Sequence, residues 1–216
     1  MSFQRARNDE QRQMRLNQIT DATVELMQEL PFDKITMKKI GEKLSFTRNN
    51  LYQYVKSKNE IILLIIQKDF QDWYETLNAT YSPKKELTNQ EFAQIWVKVA
   101  SQYPRILHWF PLLGELIEKE ITVEKLAEFK KNYFNVIVQV KNLIVQVLPQ
   151  ISLAQAEHLI YFHLRVLPHL YHLYHETPAQ KEAIKLAGYN VPDRSFITDG
   201  ALEIQIYLAG LKEFDL

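Results

Sequence analysis

The sequence predicts an all-α fold, with a small N-terminal helical domain followed by a larger helical bundle. Three observations lead there. Apolar residues recur at three- and four-residue steps along nearly the whole chain. Strand-like alternation is scarce, and only five glycines occur in 216 residues. Three hydroxyl residues stand three places ahead of Glu or Gln, at Ser57/Glu60, Thr88/Glu91 and Ser152/Gln155. In that spacing the two side chains satisfy each other's backbone donors and start a helix.

The elements follow in order. From about Gln11 to Leu30, the positions Leu16, Ile19, Ala22, Leu26 and Leu30 form the apolar stripe of an amphipathic helix, and Pro31 stops it. Two short helices, about Met37–Leu44 and Arg48–Val55, hinge at Ser45–Phe46. After Ser57 a long helix carries Ile62, Ile66, Phe70, Trp73 and Leu77 on one face and ends before Pro83. A helix near Asn89–Tyr103 and a proline-bounded segment, Pro104–Glu118, come next. From Thr122 to Pro149, the positions Leu126, Phe129, Tyr133, Val136, Val140, Leu143 and Val147 alternate three and four apart, predicting one long helix. Leu153–Glu176 is helical with Pro168 inside it, where one backbone hydrogen bond is lost. A short piece at about Ala179–Ala187 and a last helix at about Asp199–Phe214 complete the chain.

Composition narrows the class. With 46% hydrophobic and 24% charged residues the chain falls among globular proteins, away from disordered and membrane classes. The absence of cysteine excludes disulfides, thiolate metal sites and Cys nucleophiles, and suits a reducing cytoplasm. The first residues lack an apolar signal region, and the longest aliphatic run, Ile61 to Ile66, is too short to span a membrane. The expected location is cytoplasmic, with no membrane partner.

Charge is balanced overall, at 26 Lys+Arg and 26 Asp+Glu, but not locally. Residues 36–58 hold six cations, Lys38, Lys39, Lys43, Arg48, Lys56 and Lys58, against the single acid Glu42. Two short helices joined by a three- to four-residue turn make a helix-turn-helix, whose second helix enters the DNA major groove. Ile40, Leu44, Phe46, Leu51 and Val55 supply the apolar lock between the two helices. Thr47, Arg48, Asn49, Asn50 and Gln53 are left to face outward. Arg pairs bidentately with guanine and Asn or Gln with adenine, at roughly 1–3 kcal/mol of discrimination per good contact. Lys38, Tyr52, Tyr54 and Lys58 flank the helix at positions suited to phosphates; Arg5, Arg7, Arg12 and Arg15 read first as a solubilising tail and second as a flexible arm that extends the contact. On charge alone, a merely solvated polar helix explains the stretch equally well.

The motifs Phe32-Asp33, Thr36, Ile40, Leu51-Tyr52-Gln53-Tyr54-Val55 and Ser57-Lys58-Asn59-Glu60-Ile61 resemble the N-terminal domain of TetR-type transcriptional regulators over about residues 15–62. Three positions depart from that pattern: Pro31 for a helix-ending Gly, Gly41 for Ala, and Ser45 for the turn Gly. The resemblance implies that Thr36 and Lys38 touch phosphate or base. It makes Thr47, Arg48, Asn49, Asn50 and Gln53 recognition contacts, and Tyr52, Tyr54 and Lys58 backbone clamps. It also implies a helix-turn-helix DNA-binding domain over residues 1–56 and a helical regulatory, ligand-binding and dimerisation domain over 57–216.

Aromatics crowd the second part, and Phe70, Trp73, Trp96, Trp109, Phe110, Tyr133 and Phe162 are the candidate lining for a small-molecule effector. Aromatics at helical spacing are equally the stuff of a plain core. Faces of the last long helices, Leu159, Phe162, Val166 and Leu170 with Ile204, Tyr207, Leu208 and Leu211, are candidates for pairing two copies. Five of the six histidines fall between His158 and His175, but steps of three along a helix turn His169, His172 and His175 away from one another. No metal site is expected. No catalytic motif is visible, so no enzyme and no cofactor are expected. The resulting expectation is a homodimeric repressor that binds a palindromic double-stranded operator and answers to a small molecule. A DNA-binding protein governed by a protein partner, or a helical enzyme built on the His-rich helix, stand as alternatives.

Overall fold

The computed structural model describes residues 2–82, 86–189, 195–211 and 213, with the side chains of residues 2–8 and of Arg48 outside that description. No strand occurs among the described residues. The helices are α1 (Ser2–Glu29), α2 (Met37–Lys43), α3 (Arg48–Tyr52), α4 (Lys58–Tyr81), α5 (Asn89–Ala100), α6 (Pro104–Trp109), α7 (Val123–Val147), α8 (Leu153–Tyr174), α9 (Pro178–Leu186) and α10 (Phe196–Leu211). By contact the chain divides into two compact units. The first takes residues up to Lys68 together with Gly114–Phe129, and the second takes Asp69–Leu113 and the chain from Lys130 onward.

In the first unit, Ile19, Ala22 and Leu26 of α1 are buried, as their spacing predicts, with Ile40 of α2, Leu51 of α3, Val55, and Ile61, Ile62 and Ile66 of α4. Leu30 closes the last turn of α1 onto Leu26 O, and Pro31, which biases its predecessor away from helix, ends it. Helix α1 begins at Ser2, far ahead of the predicted start near Gln11. The four arginines expected on a polar tail or flexible arm therefore lie on a helix. The Ser57/Glu60 box forms in a shifted version: Ser57 Oγ accepts from the Glu60 N–H at 3.2 Å, while Glu60 Oε2 accepts from the Lys56 N–H at 2.6 Å. Asn59, 4% exposed, donates from Nδ2 both to Leu116 O at 3.0 Å and to Glu120 Oε2 at 2.9 Å. That amide anchors the first turn of α4 to a segment some sixty residues further on.

The segment predicted as one piece over 104–118 is broken up. After α6 come a 3₁₀ turn (Phe110–Leu112), a π-helical turn (Leu113–Ile117) and a second 3₁₀ turn (Glu118–Glu120). Pro111 has no N–H to continue the α pattern, which is reason enough for α6 to stop at Trp109.

In the second unit, the boxes at Thr88/Glu91 and Ser152/Gln155 form as predicted, and a further one forms at Thr177/Gln180. Helix α10 packs on α5 and α8. The approach is close at Gly200, where a Cβ would come 2.9 Å from Val97 Cγ1 and 3.3 Å from Leu167 Cδ2, so only glycine fits without a shift. The packing also corrects half of the predicted pairing faces, while Phe162, Val166, Leu170 and Tyr207 are half-buried. Leu159, Ile204, Leu208 and Leu211 are at most 5% exposed within the single chain and belong to its own core. Apolar residues are spread around more than one side of α10, and the spacing alone does not say which of them turn inward. The exposed apolar residues of α10 are Ile197, Leu202 and Ile206.

Candidate nucleic-acid interface

Helix α2 starts at Thr36, whose Oγ accepts from the Lys39 N–H at 3.3 Å, and α3 starts at Thr47, whose Oγ accepts from the Asn50 N–H at 3.2 Å. Each hydroxyl accepts from its own helix, which leaves its proton free to donate outward. Between the helices, Ser45 adopts φ 55° and is the sole non-glycine among the described residues with positive φ. The Ser45 N–H donates to Glu42 O at 3.2 Å and the Phe46 N–H to Gly41 O at 2.8 Å, the paired bonds of a Schellman end. Glycine usually holds the left-handed position of such an end. At Gly41 an added Cβ would stand 3.1 Å from Phe46 O, so this turn fits only the smallest residues.

These two ends give α3 two distinct sides. Leu51 and the following Val55 are fully buried, whereas Thr47, Asn49, Asn50 and Gln53 are exposed. Thr36 and Lys38 are exposed at the start of α2, and Lys38 lies 3.7 Å from Glu42. Tyr52 and Tyr54 are half-buried beside α3. Arg48 is the first residue of α3; its side chain is outside the described residues.

Lys56 donates to Tyr52 O at 3.2 Å, and two more of the local cations, Lys43 and Lys58, reach other elements of the first unit. Lys43 reaches Glu25 at 3.0 Å and Glu29 at 3.1 Å on α1, and hydrogen bonds to Glu25 and then Glu29 raise its pKa above the usual lysine value. Lys58 donates to Phe32 O at 2.9 Å and lies 3.8 Å over the Phe32 ring. Burial holds its ammonium below the ordinary lysine pKa, opposed by the charges of Asp33 and Glu120. Part of the local positive excess therefore fastens α2 and α4 to their surroundings.

Arg12 and Arg15, expected on a polar tail or flexible arm, instead engage α3 and the turn before it. Arg12 donates to Gln53 O at 3.4 Å and Tyr54 O at 3.3 Å, the carbonyls at the end of α3, and its guanidinium lies 5.7 Å from the Tyr54 ring centroid. Helix α3 has no basic residue in its own last turn, so a cation from α1 complements its negative end. Arg15 stacks over Phe46, 5.4 Å from the ring centroid. Arg12, Arg15, Gln53 and Tyr54, with Met14 and Gln18, border an open groove of about 850 Å³ along α1 and the end of α3. The residue separations, 41 and 42, leave no periodic trace in the sequence.

Within the second unit, five of the seven candidate lining residues meet. Phe70 stands edge-on to Trp73, Phe110 and Tyr133, with centroids at 6.2, 5.5 and 5.5 Å, and Trp73 stands edge-on to Trp96 at 5.5 Å. Phe162 instead lies flat on Tyr207 at 4.0 Å, and Trp109 stands edge-on to His108 at 5.1 Å. His163 is the buried histidine of α8; its Nδ1 accepts from Trp96 Nε1 at 2.8 Å, and burial pushes its pKa down to about 3. It is a neutral core residue. Below Phe70 on α4, Asp69 is clasped by Arg105 through two bonds of 2.8 and 2.6 Å. No group of three or more His, Cys, Asp or Glu suited to a metal occurs among the described residues, and none of their helices is long and apolar enough to cross a membrane.

Comparison with known proteins places this geometry. The chain has no significant match among curated proteins. Among solved structures it is similar to the fatty acid degradation regulator FadR from Bacillus halodurans, at 14% identity and TM-score 0.56, over 91% of this chain and 96% of that one. It is also similar to a TetR/AcrR-family transcriptional regulator from Thermobifida fusca, at 15% identity and TM-score 0.50, over 90% and 96%. At such identities the likeness speaks for the fold. Residues 19–65 match the family of bacterial regulatory proteins of the tetR type, and residues 67–213 match the tetracyclin repressor-like C-terminal domain. With matched segments running through both the helix-turn-helix and the helical remainder, the chain belongs to the TetR family of transcriptional regulators.

Proposed function

We propose that the protein is a cytoplasmic, ligand-responsive repressor that binds a palindromic operator as a homodimer, with DNA reading in residues 1–56 and ligand and dimer functions in 57–216. The observation that carries the proposal is the two-sidedness of α3 and its flanks: Leu51 and Val55 are buried while Thr47, Asn49, Asn50 and Gln53 are exposed. Arg48 leads the same helix, Thr36 and Lys38 stand at the start of α2, and Tyr52, Tyr54 and Lys58 flank the reading face. Exposed Ile197, Leu202 and Ile206 on α10 supply an apolar strip for a second copy. Pairing sets two recognition helices about one DNA turn, roughly 34–36 Å, apart. The effector enters among Phe70, Trp73, Trp96, Phe110 and Tyr133, with Trp109 and Phe162 as the outlying candidates. It works by binding the DNA-free conformation more tightly, and a typical coupling of about 1–3 kcal/mol lowers operator occupancy roughly 5- to 150-fold.

The test is a mobility-shift assay on the DNA upstream of its own coding region, followed by footprinting. A protected site with two-fold symmetry is expected, and Arg48→Ala should weaken binding to it by roughly 1–3 kcal/mol while leaving non-specific DNA nearly unaffected. Unchanged operator affinity in that variant would refute α3 as the reading element.

A further inference from the structure

The interior of the second unit is well satisfied in its polar groups, with one exception. Tyr81 donates its hydroxyl to Phe92 O at 2.8 Å, Tyr103 shares its hydroxyl with Thr76 at 2.6 Å, and Trp96 gives its indole N–H to His163. Trp73, 1% exposed in the middle of α4, has no acceptor for Nε1. It is the only buried side-chain nitrogen or oxygen among the described residues in that position. Indole is a donor only, and native interiors seldom leave a buried N–H unmet, so an acceptor belongs beside it.

The surroundings say what kind of acceptor. Trp73 lies nearly parallel to the His163 ring at 5.3 Å, with Trp96 edge-on at 5.5 Å and Phe70 edge-on at 6.2 Å. The ring contacts then continue from Phe70 to Phe110 and Tyr133, both half-buried and thus at the solvent-facing end of the run. His163 is neutral, and burial raises the Tyr133 phenol well above its ordinary pKa. Asp69, one turn before Trp73, is already held by both nitrogen arms of Arg105. The open position on the indole is a donor, which selects an acceptor over a cation, and Arg105, already engaged by Asp69, is not left over to neutralise a carboxylate.

We infer that Trp73 Nε1 is the polar anchor of the effector subsite, and that the effector is a neutral, apolar or aryl molecule carrying a carbonyl-type acceptor. The body of the molecule parts Phe110 from Tyr133 and lies along the rings, while its oxygen accepts from the indole. The inference rests on the ligand-responsive reading above and narrows it to a class of ligand.

A matched pair of probes tests it: acetophenone and ethylbenzene, which share a shape and differ by the carbonyl oxygen. The protein holds three tryptophans, so a ¹H–¹⁵N spectrum of the full chain has three indole signals, that of Trp73 being the one lost in Trp73→Phe. If that variant does not fold, contacts to Phe70 ring protons assign the signal in the wild type. Acetophenone is expected to move the Trp73 indole proton downfield and slow its exchange. It should bind about tenfold more tightly than ethylbenzene, a preference abolished in Trp73→Phe. If both probes move the ring signals equally and the Trp73 indole stays still, the anchor is refuted while the ligand pocket survives. If neither probe moves any ring signal of the second unit, the inference fails together with the pocket reading.

Discussion

The first unit turns the polar side chains of α3 outward, and the second keeps its distinctive ring groups inside. Around α3, the amides of Asn49, Asn50 and Gln53 meet solvent, and the cations behind them, Lys43 and Lys58, brace the scaffold. In the second unit the indoles and imidazole of Trp73, Trp96 and His163 are sealed from water. The difference teaches where a substitution should be felt. A change at the outer face of the first unit should alter what is bound with little loss of stability, and a change in the second should alter stability first.

The contrast can be broken or sharpened in four ways. The largest effect expected is on acid stability. His163 in the unfolded chain takes up a proton near pH 6.5, whereas the folded one resists to about 3. Between those values the unfolded state binds more protons, so stability falls as pH drops below about 6.5. From pH 7 to 4.5 this one group removes on the order of 3 kcal/mol, and calorimetry across that range should show a steeper loss than in His163→Phe. Next, Gly200→Ala drives a methyl into Val97 and should cost roughly 1–3 kcal/mol, read as a lower melting temperature with unchanged non-specific DNA affinity.

In the first unit, Arg12→Ala uncaps α3. We expect a loss of about 1 kcal/mol in stability and weaker operator binding, measured by urea titration and mobility shift. A variant that binds the operator as well as the wild type would detach Arg12 from the reading helix. The smallest effect carries the opposite sign: Ser45→Gly relieves a left-handed serine at φ 55° and should stabilise by roughly 0.5–1 kcal/mol. Loss of stability there would mean that the serine makes a compensating contact.

Much of the first unit was legible because its signals are local. Ile40, Leu51 and Val55 at fixed spacing predict which side of the motif is buried, and the odd residue at Ser45 marks the strained turn. The capping boxes at Thr88 and Ser152 fixed helix starts to the residue. What escaped the sequence depends on partners far along the chain. Arg12 bonded to the end of α3, and Asn59 bonded to Leu116 and Glu120, follow no period. Likewise, nothing local distinguishes Leu208, which is core, from Leu202 and Ile206, which are exposed, because α10 carries apolar residues on more than one side. The histidines show the same limit: only His163 of the α8 group reached the interior, where Trp96 holds it.

The double hold of Asn59 bears on anyone who wants to cut this protein apart. A fragment stopped after α4 would strip the amide of both acceptors and lose Ile117 and Phe129, two buried apolar residues of the first unit. A transplantable DNA-reading module must therefore carry Gly114–Phe129 as a stitched-in second piece, and a chimera made by one splice should come out insoluble.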